Sequence, residues 1–130
     1  MKIIDGTNAV MGRLASYVAK QALRGEEIAI VNCEKVIITG NIKDIGKRYE
    51  EKRSKIGSGQ KGPKVSRKPE LIVKRAIRGM LPNHRKGRGK QALKRIKCYI
   101  GMPKEFEGKK KIVGGKEKKI KFVMVGSLEK

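Results

Sequence analysis

The apolar positions of this chain switch period along its length, and each switch predicts an element. Lys2 to Asp5 reads as a short strand, and Gly6-Thr7-Asn8 as a turn with Asn8 as the N-cap of a helix. In that helix Met11, Leu14, Ala15, Val18 and Ala22 recur at i, i+3, i+4, i+7 and i+11, one face of a 3.6-residue period, until Gly25 closes it. The opposite stripe is Arg13, Ser16, Lys20 and Arg24. Two continuous apolar runs follow, IAIVNC (28–33) and VIIT (36–39), rich in β-branched residues as in strands covered on both faces. Strand, helix, strand in this order predicts a βαβ unit and a parallel sheet, which places the chain in the α/β class.

Residues 41–56 read as a helix with Ile42, Ile45 and Tyr49 on one side. The stretch GSGQKGPKVSRK (57–68) has three glycines, a proline and no period, so a flexible surface loop is expected. Pro69-Glu70 opens the next helix, with Val73, Ala76, Ile77 and Met80 inward and Lys74, Arg75 and Arg78 outward, and Pro82 ends it. Met80-Leu81-Pro82 is expected to anchor a corner in the core. A further helix is predicted from Lys90 to Lys97, with Leu93 and Ile96 inward and Lys90, Lys94 and Lys97 as an outward row, followed by a strand over CYIG (98–101). Residues 104–119 are charged and glycine-interrupted and are expected to be poorly ordered in isolation, while IKFVMV (120–125) suits a last strand. The simplest organisation is one domain over 1–130.

Charge changes this picture. The chain carries +22, an imbalance that opposes compaction and calls for a polyanionic partner. Residues 1–42 hold five basic and four acidic groups and are nearly neutral, whereas 43–68 net +7, 74–97 net +10 and 104–121 net +5. Between Glu70 and Glu105 there is no acidic residue, against eleven Lys or Arg. Lysines at i and i+4 repel one another on an isolated helix, so the row at 90, 94 and 97 points to compensation from outside the chain. The longest aliphatic runs are too short to cross a membrane, and the opening MKIID lacks the apolar stretch of a secretory signal.

Catalytic constellations are not found in the pattern. GSGQKGPK (57–64) lacks the Gly-Lys-Ser/Thr order of a phosphate loop and no apolar strand precedes it. TGNIKDIGKR fails on glycine spacing and places Arg48 where a hydroxyl is needed. One histidine, His84, and two isolated cysteines do not make a metal site, and Cys33 and Cys98 are expected to be reduced, small buried side chains. Binding suits the residues better. Arg85, Lys86, Arg88 and Lys90 lie in a glycine-broken loop whose backbone N–H groups can approach a sugar–phosphate chain. With only 4% aromatics and no Trp, backbone and shape recognition, as of folded RNA, is favoured over base stacking.

Four stretches together resemble one family, the universal large-subunit ribosomal protein thirteen: IIDGTNAVMGRLAS (3–16), IVNCEKVIITGN (30–41), PELIVKRAIRGMLP (69–82) and GRGKQALKRIKCYIGMP (87–103). The wording GKQALKRIK followed by GMPKEFEGKKK is closer to the archaeal and eukaryotic branch than to the bacterial one. The resemblance implies a three-layer α/β/α domain around a small, mostly parallel sheet. It also implies a non-enzymatic, cytoplasmic component of the large ribosomal subunit, bound to ribosomal RNA and neighbouring proteins and acting early in assembly. Carried over position by position, it implies RNA contact at Arg13, Lys35, Arg75, Arg78, Arg88, Lys94, Arg95 and Lys97. The segment 43–68 departs from the bacterial pattern, so Lys52, Arg53, Lys61 and Arg67 are proposed on charge alone. No cofactor, metal, membrane, small-molecule substrate or homo-oligomer is expected. The alternatives are a free regulatory RNA- or DNA-binding protein, and an enzyme acting on an acidic substrate, for which no residue can be nominated.

Overall fold

The computed structural model describes residues 2–54, 68–106, 108, 111–113, 115 and 121–129. Its centre is the predicted βαβ unit: β1 (Lys2–Asp5), helix α1 (Met11–Leu23) and β2 (Ile28–Val31), with β1 and β2 parallel and Lys2 opposite Ile28. Two more parallel strands, β4 (Ile96–Cys98) and β5 (Ile112–Val113), complete a sheet of order β4-β2-β1-β5. Every residue of β2 is buried, because helices cover one face and a thinner layer the other. Side chains alternate as a pleat requires: Ile4, Ile28, Ile30 and Ile96 join the main core, whereas Ile3, Ala29 and Val31 meet Phe106, Tyr99 and Met102 on the reverse face. The main core includes Leu14, Ala15 and Val18 of α1, Ile72, Val73 and Ile77 of α3 (Pro69–Gly79), and Ala92 of α4 (Gly87–Lys94). The architecture is α/β/α.

Helix α1 ends as its glycine predicts. Gly25 has φ +96°, its N–H donates to the Ala22 carbonyl, and the Glu26 N–H donates to the Gln21 carbonyl, a Schellman closure. The start differs from expectation. Val10 precedes the first turn without a side-chain cap, and Asn8 instead adopts a left-handed φ of 62° with its N–H on the Lys35 carbonyl. Asn tolerates that conformation, and the polar turn is organised by Asp5, so Asn8 serves the turn rather than the helix.

The run 36–39 is not a doubly covered strand of the main sheet. A left-handed Asn32 and a 3-10 turn over Cys33–Lys35 redirect the chain, so β3 (Ile37–Thr39) pairs antiparallel with β6 (Phe122–Met124) in a separate two-stranded sheet. In α2 (Ile42–Ser54) Ile45 is buried and Tyr49 half-buried, but Ile42 is 62% exposed and does not join their face. Leu81 anchors the corner after α3, whereas Met80 is 46% exposed. The predicted helix 90–97 is displaced: α4 begins at Gly87 and ends at Lys94, and β4 begins at Ile96 rather than Cys98. The apolar pair Ile96 and Cys98 returns to the sheet beside Ile28 and Ile30, and this pairing overrides the helical period. From the expected tail, a 3-10 turn at Lys104–Phe106 buries Phe106, and Ile112–Val113 forms the edge strand beside β1.

Candidate nucleic-acid interface

Two of the expected contacts share a corner at the carboxyl ends of β1 and β2. Asp5 Oδ1 accepts from the Thr7 N–H (3.0 Å), the Thr7 hydroxyl (2.7 Å) and the Asn32 amide (3.1 Å), tying the turn before α1 to the turn after β2. Burial opposes the Asp5 charge, but these donors and the nearby Lys35 outweigh it and hold its carboxyl below the ordinary carboxylate range. The Asn8 N–H on the Lys35 carbonyl then brings exposed Lys35 beside the lead-in to α1, whose third residue is exposed Arg13. No acidic residue occupies the first turn of α1, so its positive end is unopposed there. Further along the same face lie Tyr17, Lys20 and Arg24, with Tyr17 40% exposed between cations.

A second cluster joins α2 to α3 around Tyr49. The Lys52 ammonium lies 5.3 Å from its ring centroid and the Arg53 guanidinium 6.0 Å, both within cation–π range. Burial pushes the Tyr49 hydroxyl up from its ordinary value, while the charges of Arg53, Arg48 and Arg75 pull against it. Arg75 of α3 thus meets a zone 20 and more residues earlier in the chain. Lys61 and Arg67, in the predicted loop, lie outside the described residues.

The loop after Leu81 is built by its side chains and glycines. Asn83 accepts the Arg85 N–H on its side-chain oxygen (3.3 Å) and the Lys86 N–H on its carbonyl (3.2 Å). Gly89 is buried against the Pro82 and Asn83 carbonyls, and a Cβ there would overlap the Pro82 oxygen. This close approach starts α4 directly under the corner. Arg85, Lys86, Arg88 and Lys90 all remain exposed, and the first turn of α4 has neither a side-chain cap nor an acidic residue. Exposed cations and free helix N–H groups on one loop form a surface suited to phosphate.

At the far end of α4 the cations divide. Arg95 donates to the Ala22 carbonyl at 3.0 Å, so it closes the C-terminus of α1 in addition to any external contact. Lys97 lies on β4, not on the helix with Lys90 and Lys94. It walls two adjoining hollows, one of about 230 Å³ with Lys74, Glu70, Leu71, Cys98 and Tyr99, the other of about 360 Å³ with Lys94, Arg95, Gln91 and Glu27. Glu27 and Glu70 therefore enter a zone that has no acid in its own stretch of sequence. Arg78 sits half-buried in the last turn of α3, where a cation complements the helix end. Sequence reading missed Arg48 and Lys74 as members of these clusters. Their only signals are positional, Arg48 beside Tyr49 and Lys74 one turn after Leu71.

Among the described residues no three metal-ligating side chains converge, and no helix is long and apolar enough to cross a membrane. What the fold and its surface define is a small basic α/β domain with cations grouped in several places around a parallel sheet. The comparisons narrow this class. Residues 1–105 match the family model described as Ribosomal protein L13. The large ribosomal subunit protein uL13 of Methanocaldococcus jannaschii is 46% identical over 133 residues, covering 100% of this chain and 96% of that protein. The protein of the same name from Methanococcus maripaludis is 47% identical over 131 residues, covering 98% and 94%. That from Thermoplasma volcanium is 49% identical over 110 residues, covering 85% and 79%. The chain belongs to the ribosomal protein L13 family, in its archaeal branch. This is a family of structural ribosome components rather than enzymes.

Proposed function

We propose that this protein is a structural constituent of the large ribosomal subunit in the cytoplasm, that it binds and stabilises ribosomal RNA beside neighbouring ribosomal proteins, and that it supports early subunit assembly. The observation that carries the reading is the exposed, acid-free loop Arg85–Lys90 leading into α4, on a chain of net charge +22 that belongs to this family. Cations on a glycine-broken backbone neutralise phosphates and release counterions without reading bases. Arg13 and Lys35 supply a second grip at the sheet corner, and Lys52, Arg53 and Arg75 a third around Tyr49. Lys61 and Arg67 are part of the proposed surface on their charge. The test is sedimentation of a native extract at low and then high salt. Stoichiometric retention on the large subunit after the high-salt wash is the expected result. Release to the top of the gradient would replace this reading with a loosely bound regulatory protein.

A further inference from the structure

Cys33 and Cys98, 65 residues apart in sequence, are neighbours in the fold, and RNA binding gives neither a role. The turn after β2 is zipped to the end of β4. The Tyr99 N–H donates to the Ile30 carbonyl (2.8 Å), the Cys33 N–H to the Tyr99 carbonyl (3.1 Å) and the Asn32 N–H to the Gly101 carbonyl (2.9 Å). The Gly101 N–H donates to Glu34 Oε2 at 2.9 Å. In this register Cys98 lies opposite Ile30, and the Cys33 thiol turns back to the Ile30 carbonyl at 3.6 Å, toward the Cys98 row. Both side chains belong to one apolar cluster, and both are free thiols. The hydrogen bond to Cys98 and burial push the Cys33 thiol well up, so it is protonated and shielded at rest. Cys98 is different: it is half-buried and forms part of the wall of the 230 Å³ hollow beside Lys74 and Lys97, open to a small reagent.

We propose that Cys33 and Cys98 form a reversible intramolecular disulfide when the protein meets a hydroperoxide, with Cys98 attacked first and Cys33 as the resolving thiol. Cys98 gives its proton to solvent and its sulfur attacks the peroxide, breaking the O–O bond. The products are a sulfenic acid on Cys98 and the alcohol, or water from hydrogen peroxide. The Cys33 sulfur then displaces the hydroxyl of that sulfenic acid, and the hydroxyl leaves as water with the Cys33 proton. Two thiols and one hydroperoxide thus give one disulfide, one alcohol and one water. Proximity enforced by the zipper favours this second step over further oxidation. The crosslink makes an existing contact covalent, so its consequence is a more resistant fold.

The full-length protein treated with dilute hydrogen peroxide, then denatured and alkylated, tests this. Expected are loss of both alkylatable thiols, a single crosslinked peptide pair spanning 33 and 98, and a melting temperature raised by several degrees, all reversed by dithiothreitol. In Cys33→Ala, Cys98 should instead stop at a sulfenic acid trapped by dimedone. Two intact thiols after treatment, crosslinks only between chains, or a sulfinic Cys98 beside an intact Cys33 would each overturn the proposal. If Cys33→Ala fails to fold, the peptide mapping of the parent protein decides alone.

Discussion

Helices α1 and α4 both deliver the chain to strands of the same sheet, yet they are held in different ways. α1 buries six of its thirteen residues and closes with a Schellman turn, so its position follows from its own apolar face. α4 buries only Gly89 and Ala92 among eight residues, carries two glycines and four cations, and is fixed by what touches its ends. Its start is held by Gly89 against Pro82. Its exit is held by β4 and by Arg95 on the last turn of α1. A helix placed by its ends leaves most of its surface for another molecule. The same contrast separates the nearly neutral first 42 residues, which build most of the sheet and α1, from the basic remainder.

Substitutions sharpen or break this contrast in a graded order. The largest loss is expected in the core shared by α1 and α3: Ile77→Ala, at a fully buried position, should cost about 2–5 kcal/mol in chemical denaturation. Gly89→Ala should cost roughly 1–3 kcal/mol, because a methyl group must displace the Pro82 carbonyl and with it the loop. Arg95→Met should cost on the order of 1 kcal/mol by leaving the Ala22 carbonyl without its cation, seen as a lowered melting temperature. Gly12→Ala reverses the sign. No atom lies near a Cβ there and the residue is helical, so stability should rise by about 0.5–1 kcal/mol. A loss at Gly12 as large as that at Gly89 would erase the distinction between a glycine required by packing and one that is not.

The neutral front half also has a pH signature. Asp5 is held below its ordinary range in the folded chain, so the stability it contributes is complete above the unfolded carboxylate range. That stability is lost as pH falls through the lower folded value. Asp5→Asn should flatten that acid limb of a stability–pH profile, and an unchanged limb would remove Asp5 as its source.

The legibility of the fold follows the same division. The βαβ unit was readable because α1 keeps its apolar period for three turns and β2 is an unbroken β-branched run. Gly25 announced its own left-handed role. The failures fall where tertiary contacts override local pattern. Val36 to Thr39 has the composition of a central strand, but the Asn32 turn sends it to a partner more than 80 residues away. Ile96 continues a helical spacing, but sheet pairing beside Ile28 claims it and carries Lys97 off the helix. The exposed loop Arg85–Lys90 was legible from charge and glycines alone. The cluster around Tyr49 was not, because sequence spacing does not show that Arg75 comes to α2.

The most direct test of the central claim, that the α4 loop is a surface for phosphates, is the salt dependence of binding to the protein's own large-subunit ribosomal RNA. The parent is to be compared with Arg85→Ala/Lys86→Ala/Arg88→Ala. The side chains are exposed, so melting should be unchanged within about 0.5 kcal/mol. The slope of log affinity on log salt should become shallower by roughly two to three. An identical slope in a folded triple variant would contradict the claim.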